Sequence, residues 1–478
     1  MNKSHSPPNI LWICVDDYRP SVSGAYGSSL ARTPHLDRLA SQGIRFDRSY
    51  AACPLSTPSR MAFLTGRYPR SVGVTLTPTP LAETEITLGR LLQARGYETV
   101  AIGKTHYYCR LKREFNRTID RREHDLFLAS KVRKPLPQGV EILGPWRPGY
   151  DPADIWLNAK ALPYAFDEEM PDTFLTQRAV EYLSEHHSKP FYLSVGFYVT
   201  HSPFRFPIEF QQTFDPKLFR VPEVSPEDAK RIPEIFRNLT SEQKRGIQAA
   251  YHTSVAYMDR NLGRILEALD QSGLADNTLV IFNSDHGYLL GEHGRFEKHC
   301  CYEEAVRTAL VMRYPELIRP GRNTSALVEQ IDLVPTILEF CGFENPVNVQ
   351  GKSFAKLLHE TAEAHRPHVI SEYSDNAEIM IRTERWKLIY SAGTRRRRDG
   401  YYLERFSTGP ERWLFDLQND AAELHNVVDN KENQEIVENF MGILVEHLRN
   451  TSHPQSRGLL FESLEQELAY RLEPVEEH

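Results

Sequence analysis

Asn9-Ile10-Leu11-Trp12-Ile13-Cys14-Val15 is an uncharged, strand-forming run that leads straight into Asp16-Asp17. A continuous apolar run of this length reads as a strand buried on both faces, as in a parallel sheet. The pattern then repeats, with helices between. Thr33-Pro34 supplies an N-cap and an N1 proline for a helix that Gly43 closes. Thr87 to Ala94 reads as helix and Glu98–Ile102 as strand; Asp172 to about His187 reads as helix and Phe191–Phe197 as strand. The amphipathic segment Ser241 to Ser272, stopped by Gly273, precedes the strand Thr278–Asn283. This alternation predicts an α/β fold with a mostly parallel central sheet and helices on both faces. Between His106 and Thr173 the pattern gives way to a Pro-, Arg- and Tyr-rich stretch that reads as a long loop. Beyond the helix Ile331–Cys341 come strands at Met380–Arg382, Trp386–Tyr390 and Trp413–Asp416, then a helix around Glu435–Arg449. We expect an N-terminal α/β domain over 1–365 and a smaller C-terminal α+β subdomain over 366–478.

The chain has 478 residues, a net charge of −7 and 40% hydrophobic residues, an ordinary globular composition. That acidic balance argues against nucleic acid, which needs a dense Lys/Arg surface. The apolar run Phe191–Val199 is far short of the ~20 residues of a membrane-spanning helix, so no membrane is expected. The start runs directly into the first strand without a signal-peptide pattern, which predicts a cytoplasmic protein as written, or a periplasmic or secreted one if the sequence is trimmed. The six cysteines lack CxxC spacing, which argues against a structural zinc site or a disulfide framework.

Four polar clusters each follow a predicted strand: Asp16-Asp17, Lys104 with His106, His201, and Asp285-His286. Parallel strands present their carboxyl ends at one edge, where ligands bind, so residues scattered along the chain converge on one site. Asp16, Asp17 and Asp285 at close quarters repel one another unless a cation intervenes, and oxygen-rich ligation suits Ca²⁺ or Mg²⁺. An Asp-Asp pair alone is more often a helix cap or turn, and His286 is softer than a typical calcium ligand. The segment Ser56-Thr57-Pro58-Ser59-Arg60 reads as a turn entering a helix whose N-terminus favours an anion at position 56. Its bland reading is a serine N-cap with an incidental arginine.

Ser56-Thr57-Pro58-Ser59-Arg60 with Leu64-Thr65-Gly66-Arg67 resembles the type I sulfatase motif, whose first residue is oxidised to formylglycine. Val15-Asp16-Asp17, Gly103-Lys104-x-His106, Thr200-His201-x-Pro203, Ser284-Asp285-His286-Gly287 and Gly291-Glu292-His293-Gly294 with Lys298 match companion patterns in the family's order. The stretch Ser284–Lys298 is most similar to the iduronate-2-sulfatase and choline-sulfatase branches. The resemblance implies an alkaline-phosphatase-like fold, one bound Ca²⁺ per chain and hydrolysis of a sulfate ester, of a sulfated carbohydrate or another small ester. It assigns Asp16, Asp17, Asp285, His286 and an oxygen of residue 56 to the metal. Hydrated formylglycine would attack sulfur and then expel sulfate. Arg60 and Lys104 would stabilise its charge, His106 would take the proton during collapse, and His201 with Lys298 would bind sulfate and protonate the leaving oxygen. Asp285 is also a candidate to activate the nucleophile.

The serine at position 56 departs from the commoner cysteine. It is either the precursor of a Ser-type enzyme, matured by a formylglycine-generating, radical-dependent partner, or a Cys→Ser change. Two rival readings follow: a phosphonate or phosphate monoester hydrolase on the same fold, and an inactive sulfated-glycan binding protein with Ser56 unmodified. Arg395, Arg396, Arg397 and Arg398 read as a solvated turn or as a grip on further anionic groups of the substrate. His293 and His299 carry only weak functional claims.

Overall fold

The computed structural model describes residues 7–108, 114–132, 134–135, 138, 166–393, 403, 409–453 and 458–477. Eight strands form the central sheet: β1 (Asn9–Val15), β2 (Ile44–Phe46), β3 (Glu98–Gly103), β4 (Arg117–Ile119), β5 (Phe191–Gly196), β6 (Thr278–Ser284), β7 (Leu310–Arg313) and β8 (Arg322–Thr324). Their order is β8-β2-β7-β6-β1-β5-β3-β4, which puts β1 in the interior. β1 runs parallel to β5 and β6, and β3 parallel to β4 and β5; β7 is antiparallel to both β2 and β6. The mostly parallel expectation therefore holds with one reversed strand. Its four residues, like the three of β2 and of β8, are too short a run to show a period in sequence.

Alternation along β1 shows why the strand is apolar throughout. Leu11, Ile13 and Val15 pack with α1 (Pro34–Ser41), α5 (Pro171–Leu183) and α6 (Ser241–Gln271) on one face. Ile10, Trp12 and Cys14 pack with α2 (Ser56–Thr65), α3 (Leu88–Gln93) and α7 (Leu333–Phe340) on the other. Burying each such aliphatic side chain stabilises the fold by about 1.5–3 kcal/mol.

The stretch read as one long loop contains β4 and α4 (Arg121–Ser130), a correction to that reading. Asp120 and Glu123 cap α4 reciprocally, a D-x-x-E signal that marks a helix start. Near the C-terminus β9 (Val369–Tyr373), β10 (Glu378–Arg382), β11 (Trp386–Ser391) and β12 (Glu411–Asp416) form an antiparallel meander; β9 went unread in the sequence. Its Ile379, Ile381, Leu388 and Leu414 face α8 (Gln434–Thr451) and α9 (Leu464–Leu472). Met380, Ile389, Trp413 and Phe415 pack with Tyr50, Leu289, Cys301 and Tyr302. Among the described residues no helix is long and apolar enough to cross a membrane.

Candidate active site

The carboxyl ends of β1, β3, β5 and β6 meet at one edge. The Asp285 amide donates to the Val15 carbonyl at 3.1 Å and the Thr200 amide to the Asp16 carbonyl at 2.9 Å, which zips the loops after β6 and β5 onto the end of β1. Tyr251 Oη of α6 donates to the Asp17 carbonyl at 2.6 Å. Asp17 itself lies in the left-handed region at φ 55, a conformation a non-glycine residue holds only when its surroundings impose it. One ligand atom from each of Asp16, Asp17, Asp285 and His286 lies within 4.8 Å of the others, and all four residues are buried.

Ser56 is the first residue of α2, preceded by the extended Leu55, and every residue of that helix is buried. The positive end of the helix is thus aimed into the cluster. Ser56 Oγ donates to Asp16 Oδ1 at 3.0 Å and lies 2.9 Å from His286 Nε2. One turn on, Arg60 donates through Nε to Asp285 Oδ2 and through Nη1 to the Lys104 carbonyl, both at 2.9 Å. Lys104 Nζ is ion-paired with Asp16. Lys298 Nζ donates to Asp17 Oδ1 at 2.5 Å and to Ser56 Oγ at 3.5 Å. Each carboxylate therefore has its own buried cation.

Burial sets most of the proton affinities here. It pushes the Asp17 carboxyl up to about 6 against the pull of Lys298. It also pushes Asp285 up, but coupling to the His286 ring and the Arg60, Lys298 and Lys104 cations hold that carboxyl well below the usual range. Burial, then the neighbouring Lys298, brings the Lys104 ammonium down to about 7. His286 falls to about 3, chiefly by burial and against the pull of Asp285. Its Nδ1–H donates to the Gly287 carbonyl at 3.0 Å, so Nε2 keeps its lone pair. Three carboxylates and one lone-pair nitrogen make an oxygen-rich set that fits a hard divalent cation.

His201 Nδ1 donates to the Ser202 carbonyl at 2.5 Å. With Lys104, Arg121, Asp172, Tyr198 and Arg205 it lines a cavity of about 190 Å³. Burial first, then Lys298 and Lys104, holds its ring well below the usual histidine range. His106 is lowered likewise by burial and by Lys104; it stacks on Tyr108, and its Nδ1 has no hydrogen-bond partner among the described residues. Ten of the residues singled out in the sequence thus gather at this edge, whereas Arg395 to Arg398 lie outside the described residues. Sequence reading passed over Arg121, Arg205 and Asp172 as cavity residues. Asp172 accepts from the Tyr198 and Val199 amides at 2.8 and 3.2 Å and so shapes the approach to His201. The capping box before Arg121 was the one signal pointing to it.

Residues 8–343 match the sulfatase family model. The chain belongs to the sulfatase family. It is a sulfuric ester hydrolase on an alkaline-phosphatase-like fold, and residues 291–450 also match the C-terminal region of N-sulphoglucosamine sulphohydrolase. This sulfatase is 27% identical to N-acetylglucosamine-6-O-sulfatase of Bacteroides thetaiotaomicron, over 92% of this chain and 86% of that protein. It is 30% identical to iduronate 2-sulfatase of Homo sapiens, over 74% of this chain and 72% of that protein. A solved structure in complex with its substrate, D-glucosamine-2-N,6-O-disulfate, superposes with a TM-score of 0.73 at 24% identity, covering 93% of this chain and 98% of that one. That likeness speaks to the fold.

Proposed function

We propose that this sulfatase hydrolyses a sulfate ester of a sulfated carbohydrate, with Ser56 oxidised to formylglycine and one Ca²⁺ held by Asp16, Asp17, Asp285 and His286. The observation that carries the reading is Ser56 Oγ at a helix N-terminus, between Asp16 and His286 and within reach of the Lys298 ammonium. When present, the cation supplies Lewis acidity and the hydrated aldehyde a second hydroxyl that a bare serine lacks. The remaining roles belong to the chain. Asp16 and His286 orient position 56, and Lys298 and Lys104 counter the charge of an incoming sulfate. That sulfate would offset the two cations which, after burial, depress the His201 ring. An anion there favours the protonated His201 ring, the form that gives a proton to the leaving oxygen.

The relatives' names, an N-acetylglucosamine 6-O-sulfatase and an iduronate 2-sulfatase, support a sugar sulfate, as does the disulfated glucosamine held by the structural neighbour. Arg121 and Arg205 beside His201 suit an anionic sugar. Two measurements test the reading together. Intact mass of the mature protein should be about two mass units below that of the serine form, as oxidation removes two hydrogens. Sulfated glucosamine and uronate derivatives should be cleaved in preference to the matching phosphonate and phosphate monoesters. An unmodified serine, or preference for the phosphorus esters, overturns it.

A further inference from the structure

A second group of ligating side chains lies in the same half of the fold and takes no part in the chemistry above. A ring nitrogen of His293 and one carboxylate oxygen each from Glu304 and Glu423 lie within 4.8 Å of one another. His293 is buried, and its Nδ1 is bonded to Asp228 Oδ2 at 2.9 Å. Asp228 is fixed in turn by Ser225 Oγ at 2.9 Å and Tyr302 Oη at 2.7 Å, and the His293 ring stacks on the Tyr302 ring at 3.6 Å. Nε2 is therefore the nitrogen left for a ligand, and it has no hydrogen-bond partner among the described residues. The same holds for Glu304 Oε2. Glu423 Oε2 accepts from the Glu303 amide at 2.7 Å, and Lys387 Nζ stands 2.7 Å from Glu423 Oε1 but is shared with Glu303 at 3.6 Å, so each Glu423 oxygen keeps a lone pair for an ion. Burial, then repulsion from Glu292, pushes the Glu304 carboxyl up to about 7, and burial raises Glu423 as well.

We propose that His293, Glu304 and Glu423 form a second, buried cation site that takes a borderline divalent transition ion of the Zn²⁺ type. A histidine whose other ring N–H is held by a carboxylate is the usual arrangement of a metal-ligating imidazole. One nitrogen and only two carboxylates fall well short of the six to eight oxygens or so that calcium gathers and suit four-coordinate zinc better, whereas the catalytic cluster offers three carboxylates. The site joins three parts of the chain: the loop after β6, the short helix Glu303–Val306 and the segment after β12. The Gly287 amide, next to His286, donates to the Ala305 carbonyl at 2.8 Å, so an ion here ties the end of the catalytic edge to the C-terminal sheet.

The test incubates the full-length protein with excess ZnCl₂, desalts it, and measures zinc and calcium by mass spectrometry together with zinc-edge X-ray absorption. We expect about one zinc per chain with one imidazole and otherwise oxygen ligands. Zinc should fall to near zero in Glu304→Gln and in His293→Gln, while calcium, which reports the Asp16–His286 cluster, is unchanged. Should either variant fold poorly, Glu423→Gln gives the same readout, and zinc should raise the melting temperature of the wild type alone. No zinc in the wild type, a spectrum without imidazole, or zinc retained in folded variants overturns the proposal. In the last case the ion sits elsewhere, for which the His286 cluster is the candidate.

Discussion

Replacing Lys298 with methionine removes one charge from the site while keeping most of the side chain's volume. The ammonium stands 3.5 Å from Ser56 Oγ. At an effective dielectric near 20, a full negative charge on that oxygen would be stabilised by about 5 kcal/mol. A transition state carries only part of that charge, so about half is lost, or ~10² in rate. Folding should suffer less than the 3–5 kcal/mol or so typical of a stranded buried charge. Burial already holds the Asp17 carboxyl at about 6 with Lys298 in place. Without the lysine it rises further: the cation-free protein neutralises it with a proton near neutral pH, and a bound cation displaces that proton. The assay is kcat/KM for a sulfate ester at pH 7, alongside a urea melt and the divalent-cation content. A loss of about a hundredfold with fold and cation retained is expected, since Asp17 no longer shares its charge with an ammonium. Activity within about threefold of wild type would refute the placement of Lys298 beside the developing charge. Parallel loss of activity and cation would make it a support for the metal instead.

Asp172 provides a pH test. Its carboxyl is raised from 3.8 to about 6 by burial, despite two amide donors. Because the folded value lies above the unfolded one, the native state holds the proton more tightly, and stability is lost as pH rises through that window, by about 3 kcal/mol in all. Urea melts at pH 4.5 and 7.5 should show Asp172→Asn gaining on wild type by about 2 kcal/mol between the two, since part of the loss has already occurred at pH 4.5; parallel shifts would discount the group. Gly196 ends β5 where a Cβ would overlap the Lys104 carbonyl oxygen. Gly196→Ala should therefore cost about 3 kcal/mol or more and most of the activity. Gly442, inside α8 with no atom near its would-be Cβ, should instead stabilise by about 0.5–1 kcal/mol when changed to alanine; chemical denaturation of both variants checks the contrast.

The sequence alone was enough to place Asp16, Asp17, Lys104, His201 and Asp285 on one edge, because each follows a strand and the direction of parallel strands is implied by the helices between them. Those signals are local: an apolar run, a cap, a glycine stop. Ser56 and Arg60 were legible for the same reason, as the first turn of a helix. The reversed strand β7 was not, since pairing direction depends on partners remote in the chain and leaves no period in four residues. Arg121 was hidden by the irregular composition around it, although its capping box was in plain view. His293 read as an ordinary histidine. Only packing brings it to Glu304 and Glu423, and only packing gives its Nδ1 to Asp228 and leaves Nε2 open. Periodicity reports how a segment buries itself; which distant polar atoms end up facing one another, and what charge they then lack, is decided by how the buried layers stack.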